Sequence, residues 1–377
     1  MSKGKNIYCL VTNDLNQDQR MHRICGSLQK IGYQPTLIGR KKPYSPTLLS
    51  LPFAQVRLKC IFNKGFLFYA EYNLRLIKYL ISHRPELVYA VDLDTIMPAV
   101  LYKKLFSAKV IFDAHEYFTE VPEIQHKPLV KKWWTWIENA CVPQVDLAIT
   151  VNQSLAEIFS KKFNKVFTPI FNVPEKAGNN ITVSEPKNYI LYQGVLNEGR
   201  GLEVMIKTME LVPNIEFILA GEGDLSEKLR QMAQQSSASE RIVFKGWQSP
   251  EALKKLTSNA LLGVNILEGS SLNYYYSLAN KFFDYIHAGV PSINMNFPEY
   301  KQIMARYDVG YLIEKLDEKA IANTILGALK NETELQTKRK NCLSAAAAYN
   351  WQHEESKLQN IMKQLDLIGC KSDIYTF

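Results

Sequence analysis

Two successive series of short apolar runs, most separated by helix-length segments, constrain this chain more than any other feature. The first series is Ile7–Val11, Thr36–Ile38, Leu87–Ala90, Val110–Phe112 and Leu147–Val151. The second is Tyr189–Tyr192, Ile215–Ala220, Ile242–Phe244, Ala260–Ile266 and Pro291–Asn294. Runs that are apolar throughout, rather than alternating, predict strands covered on both faces of a parallel sheet. Strand–helix alternation predicts the α/β class, here as two doubly wound domains. Between the two series lies VPEKAGNNITVSEPK, rich in Pro, Gly, Asn, Ser and charge, which reads as a linker. The expected organisation is a first domain over 1–172, a linker over 173–187 and a second domain over 188–350. A helical segment from about 351 to 377 has no strand after it and is expected to pack back on the first domain. A length of 377 residues suits two domains of about 150–200 residues each.

The net charge of +8 is unevenly spread. Residues 1–170 hold 23 basic and 13 acidic side chains, a balance of 23 − 13 = +10; the remaining 22 basic and 24 acidic give −2. A basic half implies an acidic partner surface: nucleic acid, anionic lipid or a phosphorylated substrate. The six cysteines, Cys9, Cys25, Cys60, Cys141, Cys342 and Cys370, form no CxxC pair. This spacing argues against a metal site and a disulfide framework, and for a reducing compartment. The N-terminal apolar run is too short for a signal peptide, and no stretch reaches the ~18 apolar residues of a membrane span.

In open α/β sheets, ligands bind beyond the carboxyl ends of the strands, so the loops there are expected to carry the functional residues. QGVLNEGRGLE follows Tyr189–Tyr192; Gly194, Gly199 and Gly201 allow close backbone approach, and Arg200 precedes a helix start, a combination suited to phosphate. The same residues also fit an ordinary glycine-rich loop. GEGDL, with Gly221, Glu222 and Gly223, is a weaker signal of the same kind. In LEGSSLNYYYSLANKFFDYIHAGVP, Ser277 is expected to cap a helix running to about His287, with Lys281 and Asp284 on one face. DAHEYFTEVPEI places His115 and Glu116 just past a strand end. Near the N-terminus, Asn13, Asp18 and Arg20 follow the first strand and Asp92 and Asp94 the third; they either cap helices or hold an acceptor.

Taken in order, VTNDLNQDQRMHRICGSLQKIGYQPTLIGR, VDLDTIMPA, VIFDAHEYFTEVP, YQGVLNEGRGLEVMI, LAGEGDL, FKGW and SLNYYYSLANKFFDYIHAGVPSI resemble the retaining nucleotide-sugar enzymes of glycosyltransferase family 4. The resemblance spans nearly the whole chain. It implies the GT-B fold, two facing Rossmann-like domains with a cleft between them, the second holding a nucleotide-diphosphate sugar of the UDP or GDP type. By the same resemblance, Arg200 binds the diphosphate, and Gly194, Gly221, Glu222, Lys245, Gly246 and Trp247 meet the nucleoside and phosphates. His115 contacts the donor sugar. The family's two Glu residues, separated by seven positions, fall on Tyr276 and Asp284; Asp284 is expected at the ribose, whereas Tyr276 is no carboxylate. Ser277, Asn280 and Lys281 match a variant SLxNK motif. Val195 stands where many members have an Arg, and Lys281 is expected to supply that charge. The leaving diphosphate is expected to take the acceptor proton, with no metal and no separate cofactor.

The implied activity is sugar transfer to a glycan or lipid-linked acceptor in cell-surface polysaccharide, lipopolysaccharide or glycolipid synthesis. Two rivals share the nucleotide loops: a nucleotide-sugar epimerase, and a non-catalytic partner that binds the donor, a reading Tyr276 keeps open. A nicotinamide oxidoreductase is disfavoured because no GxGxxG follows the first strand, and no nucleic-acid module accompanies the charge. The segments 62–81 and 127–138 mix Lys and Arg with Trp, Phe, Tyr and aliphatic residues. They fit either core helices or an anionic membrane surface. The expected location is cytoplasmic, peripheral on the inner face of the cytoplasmic membrane.

Overall fold

Each half of the chain builds one fully parallel sheet. The computed structural model describes residues 4–176 and 186–372, with side chains of the last helix described to Leu365; positions 177–185 of the expected linker lie outside the described residues. The chain divides into two units. Unit 1 comprises residues up to Asn172 together with those from His353; unit 2 is Val173–Gln352.

Unit 1 has seven strands: β1 Asn6–Leu10, β2 Gln34–Lys41, β3 Ala54–Lys59, β4 Leu87–Val91, β5 Lys109–Ala114, β6 Leu147–Thr150 and β7 Phe167–Pro169. Their order across the sheet is β3-β2-β1-β4-β5-β6-β7, so the winding reverses between β1 and β4. The helices are α1 Gln19–Lys30, α2 Gly65–His83, α3 Leu93–Phe106, α4 Pro122–Gln125, α5 Pro128–Cys141 and α6 Gln153–Phe163. Local chemistry starts two of them: Asp18 accepts from Met21 N, and Asn152 from Leu155 N.

In unit 2, β8 Tyr189–Gln193, β9 Glu216–Ala220, β10 Ile242–Gly246, β11 Leu262–Asn265, β12 Ser292–Met295 and β13 Gly310–Ile313 are ordered β10-β9-β8-β11-β12-β13. The reversal falls between β8 and β11. Helices α7 Leu202–Leu211, α8 Ser226–Gln235, α9 Pro250–Ser258, α10 Leu272–Tyr275, α11 Asn280–His287, α12 Pro298–Tyr307, α13 Glu318–Lys330 and α14 Glu332–Ala348 connect or follow them. The last helix, α15 Trp351–Ser372, starts in unit 2, where Trp351 N donates to Pro174 O. It continues on unit 1, where Glu355 meets Ser27 and Lys30, and Glu354 accepts from Phe171 N.

All ten predicted runs are strands, apart from end residues. Three strands were not expected. β3 is an edge strand of polar–apolar alternation whose residues are at least partly exposed, and β7 and β13 have only three and four residues. A short or half-wet strand leaves little apolar signal, because pairing with its neighbour defines it more than burial does. The interior strands carry the core. Tyr189, Leu191, Ile218, Ala260, Tyr285 and Val290 form one buried cluster of unit 2, in which a fully buried Leu, Ile or Val side chain contributes about 1.5–3 kcal/mol. Tyr285 also donates to Leu191 O, which fixes α11 against the end of β8.

Candidate functional site

In unit 2 the winding reversal opens the ends of β8 and β11, and the loops there carry the candidate donor residues. The loop after β8 is locked to the loop after β9: Gly194 N donates to Ala220 O, Leu196 N to Glu222 O, and Leu225 N to Leu196 O. Gly221, at φ +148°, makes this possible, since a Cβ there would collide with the Gly194 carbonyl. Arg200 follows, and Gly201, at φ +67°, occupies the N-cap of α7. The Arg200 guanidinium lies 5.1 Å from the centre of the Tyr274 ring, and its buried Nε has no hydrogen-bond partner among the described residues.

Lys281, in the first turn of α11, lies on the other side of this loop, its Nζ 3.7 Å from the centre of the Tyr192 ring. Neither Lys281 nor Arg200 ion-pairs with a carboxylate among the described residues. Burial pulls the Lys281 pKa well below its ordinary value, and the neighbouring Arg200 charge pulls it further; Asp284 acts in the opposite sense. Two basic side chains that oppose one another's charge beside a glycine loop and two helix N-termini have the chemistry that suits an anion.

Asp284 accepts from Gln193 Nε2 at 2.9 Å, while Gln193 Oε1 accepts from Thr257 Oγ1 at 2.6 Å. The chain Thr257–Gln193–Asp284 thus orients the carboxylate. Gln193 and Thr257 escaped sequence reasoning: one ends an apolar strand, the other sits in an unremarked helix, and only folding joins them. Tyr276 directly follows α10 and packs edge-on against Tyr275, which in turn leans on Phe297. Asn280 is the exposed first residue of α11.

Ser277 does not cap α11, contrary to expectation. The helix begins two residues later with Ala279 at the N-cap, and Ser277 Oγ donates to Tyr274 O instead. The backbone N–H of Ala279 is satisfied by the Tyr300 hydroxyl, supplied from α12. A capping serine and a turn-bonding serine look alike in sequence, and a tertiary tyrosine decides between them.

A third corner of unit 2 gathers Glu222, Arg230 and Gly246. Arg230 bonds Glu222 at 2.5 Å and lies over the Phe244 ring; a Cβ on Gly246 would lie 3.2 Å from the Glu222 carboxylate. Lys245 is exposed, and Trp247 is 68% exposed beside this group. Arg230 was not foreseen, because a lone arginine in an amphipathic helix carries no signal.

In unit 1, the loops at the β1/β4 reversal hold the other candidates. Asn13 Nδ2 donates to Asp18, which also caps α1. Asp92, at φ +56°, accepts from His115 N, and Asp94 accepts from Thr12 Oγ1 at 2.6 Å. Burial raises the Asp94 pKa to about 7, with Glu116 adding to the rise and the Thr12 bond opposing it. Asp92 is pushed up mainly by burial, against the pull of His115. Glu116, Asp92 and the rings of Phe112, Phe118 and Phe159 line a small hollow.

Arg20 is a correction. Expected among acceptor-facing groups, it is 3% exposed and grips Asp113 with Nε and Nη2, while Nη1 donates to Ile170 O. Asp113 lies inside β5, one residue past the predicted run Val110–Phe112, where sequence gives no reason to expect a buried ion pair. Tyr89 OH and His115 Nε2 also meet this carboxylate, at 2.7 and 2.9 Å. Burial raises the Asp113 pKa and the Arg20 and His115 charges outweigh it, leaving it depressed. Burial lowers that of His115, and the Asp113 carboxylate overcomes this, leaving it raised. His115 is therefore an imidazole held by a carboxylate at the end of β5, its Nε2 2.9 Å from Asp113 Oδ2 and 3.0 Å from Arg20 Nε.

Comparison with known proteins bears on family and fold. Residues 17–170 match the family described as Glycosyltransferase Family 4, and residues 175–348 match Glycosyl transferases group 1. An uncharacterized glycosyltransferase of Methanocaldococcus jannaschii is 30% identical over 83 residues, 21% of this chain and 21% of that protein, so the match spans about a fifth of the relative. Among solved structures, sucrose-phosphate synthase of Thermosynechococcus elongatus covers 97% of this chain and 100% of its own, at a TM-score of 0.77 and 16% identity. Anabaena HepE in complex with UDP-glucose covers 95% of this chain and 99% of its own, at 0.76 and 13%. WaaG, a glycosyltransferase involved in lipopolysaccharide biosynthesis, covers 94% and 99%, at 0.70 and 15%. These similarities establish a GT-B fold of two Rossmann-like sheets.

Proposed function

The two halves of this chain belong to Glycosyltransferase Family 4 and to Glycosyl transferases group 1, and from that premise we propose that the protein is a retaining, nucleotide-sugar-dependent hexosyltransferase acting on a glycan or lipid-linked acceptor in cell-surface polysaccharide synthesis. The observation that carries the reading is the pair of cations, Arg200 and Lys281, converging without carboxylate ion pairs on the Gly194–Gly201 loop. A diphosphate satisfies both, together with the backbone amides at the starts of α7 and α11. Charge that develops on the leaving diphosphate oxygen is stabilised by the same groups, which need not reorganise as the bond breaks. A metal is not required for this step in our reading, because the two side chains take that electrostatic role.

Asp284, steadied by Gln193, is assigned to the donor ribose. Glu222, Gly246 and Trp247 are assigned to the nucleoside. Lys281 replaces the charge that Val195 does not supply. His115, with its ring oriented by Asp113, is assigned to the transferring sugar, and the departing diphosphate accepts the acceptor's proton. The UDP complexes of HepE and the lipopolysaccharide role of WaaG support a UDP-type donor and a surface-glycan acceptor.

The test is a thermal-shift series with UDP, GDP, ADP and their sugars, followed by transfer assays with the sugar that stabilises most. A ligand at a hundredfold excess over its Kd stabilises by about 2.7 kcal/mol. Selective stabilisation by one nucleotide family, lost in Arg200→Ala, is expected. No stabilisation by any nucleotide would sink the reading. Binding without transfer or hydrolysis across acceptors would instead mark a non-catalytic binding protein.

A further inference from the structure

Two helices of unit 1 leave an aromatic cluster in solvent. On α5, Leu129, Lys132, Trp133 and Trp136 recur at helical spacing and form one stripe, while Trp134 and Ile137 turn into the core. Leu129 is 82% exposed, Trp133 41% and Trp136 56%. At the start of α2, Phe66 is 65% exposed and Leu67 is exposed too. The two stripes meet: Phe66 and Trp133 are in edge contact at 5.8 Å, and Trp133 stacks on Trp136 at 5.3 Å. Beneath them the buried Trp134 packs edge-on against Tyr69, so the junction of the helices is anchored from inside.

Contiguous exposed aromatic surface of this kind marks a place where something binds. The charges around it say what. Lys64, Lys127 and Lys132 are exposed at its rim, and the stretch from Ile124 to Ile137 contains no acidic residue. The one acid on α2, Glu71, is tied to Arg75 and to the amides of Ile61 and Phe62. Trp and Phe beside unneutralised Lys suit the headgroup region of an anionic bilayer, where rings enter the acyl boundary and ammonium groups meet phosphates. Among the described residues no helix is long and apolar enough to cross a membrane. These helices would lie on it.

We propose that the joined faces of α2 and α5 form a docking surface for an anionic lipid bilayer, with Phe66, Trp133 and Trp136 set into the headgroup layer. The surface sits on unit 1 and uses none of the donor-binding residues, so it stands or falls separately from the transferase reading. It also accounts for part of the +10 balance of residues 1–170.

The test is flotation of the full chain with vesicles of phosphatidylcholine containing phosphatidylglycerol, against phosphatidylcholine alone, at low salt. The expected result is capture by the anionic vesicles only, with Trp fluorescence quenched by brominated lipid. Trp133→Ser with Trp136→Ser should reduce partitioning by roughly tenfold or more and abolish the quenching. Lys127→Ser with Lys132→Ser, at exposed positions where folding is not at stake, should weaken it about 25-fold, since each near-surface cation contributes about a fivefold factor. Failure of the unmodified chain to float, or lysine and tryptophan variants that float as it does, would overturn the proposal. So would a dimer in sedimentation equilibrium that the tryptophan variant disperses while vesicle capture is absent; that outcome assigns the patch to a second copy of the chain.

Discussion

Lys281 holds its ammonium nitrogen 3.7 Å from the centre of the Tyr192 ring, close enough to Gly194 that a Cβ there would lie 3.4 Å from it. The lysine is thus pinned against the Gly194–Gly201 loop by an aromatic face and not by an acid. Lys281→Met keeps the length and removes the charge. A charge-assisted hydrogen bond contributes about 1.5–3 kcal/mol, so nucleoside-diphosphate affinity should fall roughly 10–100-fold by calorimetry. The unliganded variant should melt no lower than the parent, because a partly buried charge is relieved. Unchanged affinity would remove Lys281 from the donor site.

Gly221 is where two loops touch. Gly221→Ala places a methyl group against the Gly194 carbonyl at a φ that L-residues avoid. Strain of this kind costs about 1–3 kcal/mol. We expect a lower melting temperature together with weakened nucleotide binding. A variant that melts lower but binds UDP normally would show that the loop contact serves stability alone.

The Arg20–Asp113 pair predicts a sensitivity far from the donor loops. Asp113→Asn leaves a guanidinium buried without its counter-charge, a loss of about 3–5 kcal/mol, measurable by urea unfolding at neutral pH. The pH dependence has a definite sign. Asp113 has a depressed folded pKa, so its contribution is present above the ordinary carboxylate range and is lost as pH falls through the folded value. His115 has a raised one, so its contribution is complete below the ordinary imidazole range and is lost as pH rises through the folded value. The variant should flatten both limbs. A stability–pH curve parallel to the parent's would contradict the assignment.

Asp94 behaves in the reverse sense to Asp113. Its folded pKa is raised to about 7, above the ordinary value of 3.8, so its proton is held more tightly in the folded state. The stabilisation is complete below pH 3.8 and disappears as pH rises to 7. Asp94→Asn should therefore gain stability relative to the parent on going from pH 5 to pH 8, by about 1.4 kcal/mol for each unit traversed below the folded pKa. Equal differences at the two pH values would show that Asp94 is ionised throughout.

Much of the chain's plan was legible before folding. Continuous apolar strands such as Tyr189–Tyr192 and Leu87–Ala90 announced parallel sheets because such a strand meets helices on both faces. The glycines of QGVLNEGRGLE and the basic residues Arg200 and Lys281 marked the loops that the fold brings together at the β8/β11 reversal. What stayed hidden was partnership. Asp113 looked like the first residue of the loop after an apolar strand, and Arg20 like a loop cation; their sequence separation of 93 residues concealed a buried ion pair. Ser277 had the right residue type for a cap and the wrong position, by two residues, because Ala279 takes the N-cap, its N–H held by the Tyr300 hydroxyl of α12, and Ser277 turns back onto Tyr274 O.

The sequence by itself determined the α/β class, the division into two strand series, the charge imbalance and which loops hold the glycines and basic residues of the candidate donor site. Those properties depend on periodicity and composition, which are local and additive along the chain. Tertiary structure alone decided which side chains serve one another. It set Gln193 and Thr257 behind Asp284, brought Arg20 onto Asp113, and joined Phe66 to Trp133 in one exposed surface. Such pairings depend on distances of a few ångströms between residues far apart in the chain. No window along the sequence records them, because the sheet's strand order, not the chain's order, makes them neighbours.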